Sequence, residues 1–158
     1  GNVADSLAII RFIKSQAKIF ELERDEEMSA RAAATLLSNV MNNSRYYPYI
    51  CQLVIGGYNG KPELFDLTPT GAILQRDKYA VSGSGTEPAL NTLDLGYKKG
   101  MAEKDAIVLA VRAIESGKRR DVYSGGASAT VFVVDKDGVK QVPKDRVDKI
   151  IKENAIVQ

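Results

Sequence analysis

The stretch Tyr49-Ile50-Cys51-Gln52-Leu53-Val54-Ile55-Gly56-Gly57-Tyr58-Asn59-Gly60-Lys61-Pro62-Glu63-Leu64-Phe65-Asp66-Leu67 decides how the rest of the chain is read. Its two arms are rich in aliphatic and aromatic side chains of the kind that suit a pleated, half-buried surface. Between them sits Asn59-Gly60, a pair that readily takes the positive φ angles of a tight hairpin. Two antiparallel strands, Tyr49–Ile55 and Pro62–Leu67, are therefore expected, with residues 56–60 connecting them.

Helices flank this hairpin. From Asp5 to about Glu23, the residues Leu7, Ile10, Ile13, Ala17 and Phe20 recur every three or four positions and make one apolar stripe, with Arg11, Lys14, Lys18 and Glu21 on the wet side. Ser29 is an N-cap for a second helix carrying Ala33, Leu36, Leu37, Val40 and Met41, which ends near Asn42-Asn43. After the hairpin, two short strands, Ala72–Gln75 and Tyr79–Val81, flank the turn Arg76-Asp77-Lys78. The glycine-rich bend Ser82-Gly83-Ser84-Gly85-Thr86 then leads into a helical region. A long helix follows over Glu103–Arg120, with Ala106, Ile107, Leu109, Ala110, Ala113 and Ile114 as its apolar set. Lys118, Arg119 and Arg120 form a solvated last turn suited to the negative helix end. A strand over Thr130–Val134, a turn at Asp137-Gly138, a last short strand and a helix from Pro143 to about Glu153 complete the chain. The order is that of an α+β fold built in layers, in one domain spanning 1–158.

Composition removes several function classes. A net charge of +2, spread along the chain, gives no basic stripe for nucleic acid. No apolar run is long enough to span a membrane, and no secretory signal opens the sequence. The single cysteine, Cys51, points to a reducing, cytoplasmic setting and reads as a small buried hydrophobe rather than a nucleophile. The chain has no histidine, which removes Ser–His and Cys–His pairs and every histidine-bearing zinc site. A hydrolase built on this chain must take its proton with a carboxylate, a lysine or a terminal amine. No carboxylates have metal-ligand spacing, and Asp135, Asp137 and Gly138 make a hairpin turn rather than a calcium loop. Neither metal nor cofactor is expected.

Two loops carry possible chemistry. Ser82–Thr86 has the glycine content of a phosphate loop but lacks its Gly-Lys-Ser/Thr ending, so a nucleotide-binding module is an outside reading. Asp121 and Ser124 lie three apart in a glycine-flanked loop, a setting able to hold a catalytic constellation. Spacing alone favours a plainer role, with Asp121 pairing with Arg119 or Arg120 and Ser124 bonding within the turn.

Several segments in order resemble the proteasome β-subunit family, most of all its archaeal kind. They are Ala34-Thr35-Leu36-Leu37-Ser38-Asn39, Arg45-Tyr46-Tyr47-Pro48-Tyr49, Gln52-Leu53-Val54-Ile55-Gly56-Gly57-Tyr58, Ser82-Gly83-Ser84-Gly85, Ala110-Val111-Arg112-Ala113-Ile114 and Arg120-Asp121 with Ser124-Gly125-Gly126. The resemblance spans nearly the whole chain. It implies an N-terminal-nucleophile hydrolase fold, an αββα sandwich of two antiparallel sheets between helical layers. In that family an N-terminal threonine attacks the peptide carbonyl, and its own α-amine, with a lysine nearby, handles the proton. That chemistry needs no histidine, because an α-amine titrates at about 7.7–8.0.

By this resemblance Ser84 matches the serine that hydrogen-bonds around the threonine amine, and Asp121 and Ser124 match the residues that hold the same region. Gly1 matches the glycine whose backbone N–H stabilises the oxyanion. Val3 and Leu7 fall near the pocket for the substrate side chain. The implied protein is a 20S core-particle β-subunit, a threonine endopeptidase that degrades unfolded polypeptides within stacked seven-membered rings of α- and β-subunits. The alternative is a non-catalytic structural subunit of the same ring. The family chain carries a threonine start, two hairpins, an acidic residue and a lysine ahead of the position of Gly1. The sequence is thus expected to be N-terminally incomplete, without the first strands and the nucleophile. Ala4 stands where the family has glycine in its Gly-x-Val-Gly-Asp run.

Overall fold

A computed structural model describes residues 1–155 as an α+β chain that divides into two compact units, Gly1–Ala80 and the part from Val81 onward. The first unit holds helices α1 (Val3–Arg24) and α2 (Ala30–Asn43) and strands β1 (Leu53–Tyr58), β2 (Pro62–Leu67) and β3 (Ile73–Gln75). The strands form one antiparallel sheet in the order β1-β2-β3. Register pairs Leu53 with Leu67 and Ile55 with Phe65, which turns these residues toward the helices. Ile9, Ala34, Leu37, Met41, Cys51, Phe65 and Leu67 make the core, and Phe12 and Ile13 pack against it. Each fully buried large side chain contributes about 1.5–3 kcal/mol by leaving water. Cys51 is buried, and desolvation pushes its thiol pKa up, as suits a packing residue.

The hairpin forms as its Asn-Gly pair dictates, with Asn59 N–H donating to Lys61 O and Gly60 at φ 70°. Its first strand begins later than the apolar run suggests, at Leu53 rather than Tyr49. The cause is a distant contact: Ile50 O accepts from Asn2 N–H at 2.6 Å, and Ile50 N–H donates to the Asp5 carboxylate at 2.8 Å. The backbone of Ile50 therefore anchors the start of α1. The strand runs on instead through Gly56, Gly57 and Tyr58, and Gly57 lies so close to α2 that a Cβ there would meet the Ala30 methyl at 2.5 Å.

Helix α1 also differs in orientation. Ile9, Phe12 and Ile13 face the core, whereas Leu7 and Ile10 of the expected stripe are exposed. Apolar residues surround much of this helix, so periodicity alone does not choose the face. Helix α2 follows its signals, with Ser29 Oγ accepting from Ala32 N–H at 3.1 Å. Tyr79–Val81 forms no strand and marks the passage between the units. Three residues gain too little from a ladder to hold extended structure without a neighbouring strand.

The second unit comprises α3 (Thr86–Gly96), α4 (Glu103–Arg120), the hairpin β4 (Phe132–Asp135) and β5 (Gly138–Gln141), and α5 (Lys144–Ala155). Helix α4 has the expected bounds but packs on two sides. Leu109 lies against Gly96 of α3, while Ile107 and Val111 join Val142, Val147 and Ile150 in a second core. This two-sided packing buries Val111 and leaves Ala110 and Ile114 exposed, contrary to the single face expected. Among the described residues no helix is long and apolar enough to cross a membrane.

Candidate active site

The bend before α3 and the loop after α4 meet in the second unit. Gly85 N-caps α3 without a side-chain bond, and Asp121 is the C-cap of α4, its N–H donating to Gly117 O at 2.9 Å. The approach depends on two glycines. A Cβ on Gly85 would sit 3.0 Å from Gly117 Cα and 3.1 Å from Ser124 Oγ, and one on Gly117 would sit 3.2 Å from Gly85 O. Backbone thus rests on backbone, and residues from distant parts of the sequence come within reach.

Those residues are Ser84, Asp121 and Ser124. Ser124 Oγ donates to Asp121 Oδ2 at 2.6 Å, and Ser84 Oγ donates to the same oxygen. The two hydroxyl oxygens are 3.2 Å apart. Hydrogen bonding from Ser124 first and Ser84 second, helped by the backbone N–H groups of Tyr123 and Ser124, holds the Asp121 carboxyl below its ordinary pKa. The group is therefore an anion at neutral pH. Among the described residues it forms no ion pair with Arg119 or Arg120, so that half of the plainer reading from spacing fails, while Ser124 does bond within the turn, to Asp121.

With both serine hydrogens directed at Asp121, the hydroxyl lone pairs remain as acceptors. The cluster is an anionic, acceptor-rich cradle suited to a group with several N–H bonds, such as an amine. The same charge disfavours a phosphate beside Ser84, which argues against a nucleotide in the Ser82–Thr86 loop. A cavity of about 300 Å³ adjoins the cluster, lined by Ser84, Gly85, Ser124 and Ser128 among others. A larger hollow of about 600 Å³ is lined by Lys98, Lys99, Asp105 and Arg112, but among the described residues no serine, threonine or cysteine lines it.

Lys118 also lines the site cavity, and sequence reasoning missed it. Its ammonium pairs with Glu115 at 2.6 Å, and only 14% of the side chain is exposed, so it does not belong to a solvated last turn. Arg119 and Arg120 remain exposed as expected. The signal for Lys118 was its neighbour: Gly117 inside a helix marks a close approach by other backbone.

Gly1, Val3 and Leu7 belong to the first unit. Gly1 rests on the Ile50–Cys51 backbone, where a Cβ would stand 2.8 Å from Cys51 Cα, so a side chain does not fit. Val3 and Leu7 lie on the first turns of α1 and are 72% and 48% exposed, which leaves both open to contact. Among the described residues no group of three or more cysteines and carboxylates could hold a metal.

The family model described as proteasome subunit matches residues 1–152. The chain is 40% identical over 152 residues to proteasome subunit beta 2 of Pyrococcus furiosus, covering 96% of this chain and 73% of that one. It is 36% identical over 155 residues to proteasome subunit beta of Methanocaldococcus fervens, covering 97% and 69%. A third relative, proteasome subunit beta of Methanopyrus kandleri, is 36% identical over 154 residues, covering 96% and 73%. The chain belongs to the proteasome subunit family, as one of its β-type members.

Proposed function

We propose that this β-type subunit is catalytic: a threonine endopeptidase of the 20S core particle, acting on unfolded polypeptides in the cytoplasm within stacked seven-membered rings of α- and β-subunits. The observation that carries this reading is the shared oxygen of Asp121, which draws Ser84 and Ser124 into one acceptor-rich cradle. An N-terminal threonine seated there would have its α-amine gripped through N–H bonds and its lone pair aimed at its own hydroxyl. The reading needs that threonine from outside the 158 residues. It also assigns Gly1 N–H to the oxyanion and Val3 and Leu7 to the wall of the specificity pocket, and takes the fold to be the αββα sandwich of N-terminal-nucleophile hydrolases.

The test is the full-length subunit assembled with its α-subunits. Hydrolysis of fluorogenic peptides, blocked by a covalent probe that labels an N-terminal threonine, supports the proposal. A particle that assembles but neither cleaves peptide nor takes the label identifies the chain as a structural ring subunit.

A further inference from the structure

The loop that carries Ser124 is poorly held by its own packing. Residues 124–131 form neither helix nor strand. Gly125 and Gly126 follow Ser124 directly. A Cβ on Gly125 would meet nothing within 4 Å, and one on Gly126 would meet only Ser128 O at 3.9 Å. Ser124 is bonded to Asp121 through its Oγ and its N–H, so what the two glycines leave loose is the chain just beyond it, because glycine has the widest conformational freedom of any residue. The next fixed point along the chain is Ser128, whose Oγ donates to Asp148 Oδ1 at 2.5 Å.

Asp148 is itself firmly placed. It sits on α5 beside Val147, which is fully buried, and two residues before Ile150, which belongs to the same core as Ile107 and Val111 of α4. Ser128 has a double position. It lines the cavity beside Ser84 and Ser124, and it also lines a smaller hollow with Lys144, Asp148 and Lys152 of α5. The bond between Ser128 and Asp148 therefore ties the far end of the site loop to the helix that anchors the second core.

We propose that Asp148 is a positioning residue for the candidate active site, fixing the loop 121–128 through Ser128 so that Ser124 and Asp121 hold their mutual geometry. Asp148 does not touch the reacting groups. It acts through the hydroxyl of Ser128, and the glycine pair is what makes the tether necessary. This inference rests on the catalytic reading above.

The test uses the full-length subunit in the assembled particle, with active sites counted by the threonine-directed probe. Asp148→Ala is expected to lower kcat per labelled site about tenfold while leaving KM unchanged, the effect of losing one charge-assisted hydrogen bond. Amide hydrogen exchange in the peptide 122–128 is expected to quicken by about tenfold, with α4 unaffected. Asp148→Asn keeps an oxygen to accept from Ser128 and should stay within about twofold of wild type on both measures. Ser128→Ala should reproduce Asp148→Ala, and it carries the test if the latter fails to assemble. Unchanged exchange in both alanine variants overturns the proposal, as does a loss of particle yield with kcat per site intact, or an Asp148→Asn variant as impaired as Asp148→Ala. If the wild-type particle has no peptidase activity, the catalytic reading fails by itself. The exchange comparison then decides the tether: quickening confined to the alanine variants supports it, and none overturns it.

Discussion

Asp66 and Asp121 each accept two side-chain hydrogen bonds, one in each unit, yet their partners differ in charge. Asp66 is buried in the sheet between Gln52, at 3.0 Å, and the guanidinium of Arg76, at 3.1 Å. Asp121 is half-buried and takes two neutral hydroxyls. The first carboxylate has its counter-ion in place and can do little more than hold strands together. The second is ionised and, among the described residues, has no partner cation, so its charge and its neighbours' lone pairs stay available to an incoming group. Opposite charge within contact distance makes the former a structural fitting. Its lack leaves the latter suited to receive a cation.

The largest expected break in this contrast is Asp121→Asn. It removes the charge but keeps the shape, and kcat per labelled site in the assembled particle should fall roughly 100-fold, as for loss of a group that orients a general base. Asp66→Ala should do the reverse, costing about 1–2 kcal/mol of stability by leaving Arg76 without its partner. The effect stays modest because 44% of the Arg76 side chain reaches solvent. Thermal unfolding of the particle reads the loss, with kcat per site unchanged.

A third test uses acid. The folded pKa of Asp121 lies below its unfolded value, so its contribution to stability is present above that unfolded value, about 3.9, and disappears as pH falls through the lower folded one. The gap in unfolding midpoint between wild type and Asp121→Asn should be constant at higher pH and close only below about pH 4. Ser124→Ala should move the Asp121 titration upward more than Ser84→Ala does, since the Ser124 bond is the larger cause. Carboxyl carbon-13 shifts check both. The smallest effect belongs to Lys140→Ala. Lys140 pairs with Asp135 on the exposed β4–β5 turn, but the Asp135 carboxyl is kept low chiefly by the N–H of Asp137. Asp135 should still titrate below its ordinary range, and the unfolding midpoint should not move.

What was legible in the sequence was local. Asn59-Gly60 specified a turn, Pro62–Leu67 and Glu103–Arg120 appear with the bounds their patterns imply, and Ser29 caps α2 as its residue type suggests. What was not legible depended on partners far along the chain. The start of β1 was displaced because Ile50 bonds to Asn2 and Asp5, 45 residues from the latter. Helix α1 turned Ile9 inward because α2 and the sheet determine which apolar face is covered. The site shows the same division. Ser84 and Asp121 are 37 residues apart, so spacing gave no reason to join them, and only the ordered resemblance to a known family did. Lys118 escaped because the cavity it lines is shared with a loop that begins more than thirty residues earlier.

The contact between Gly85 and Gly117 has a consequence for how accurately the site can be built. Side chains that meet through several rotatable bonds accumulate error at each torsion. Here main chain lies directly on main chain, so the separation between the bend and the helix end is a single van der Waals distance with no adjustable joint. Ser84 then needs only one torsion to bring its oxygen to Asp121. The spacing between Ser84 and the end of α4 would therefore hold at temperatures where longer side chains begin to sample other rotamers.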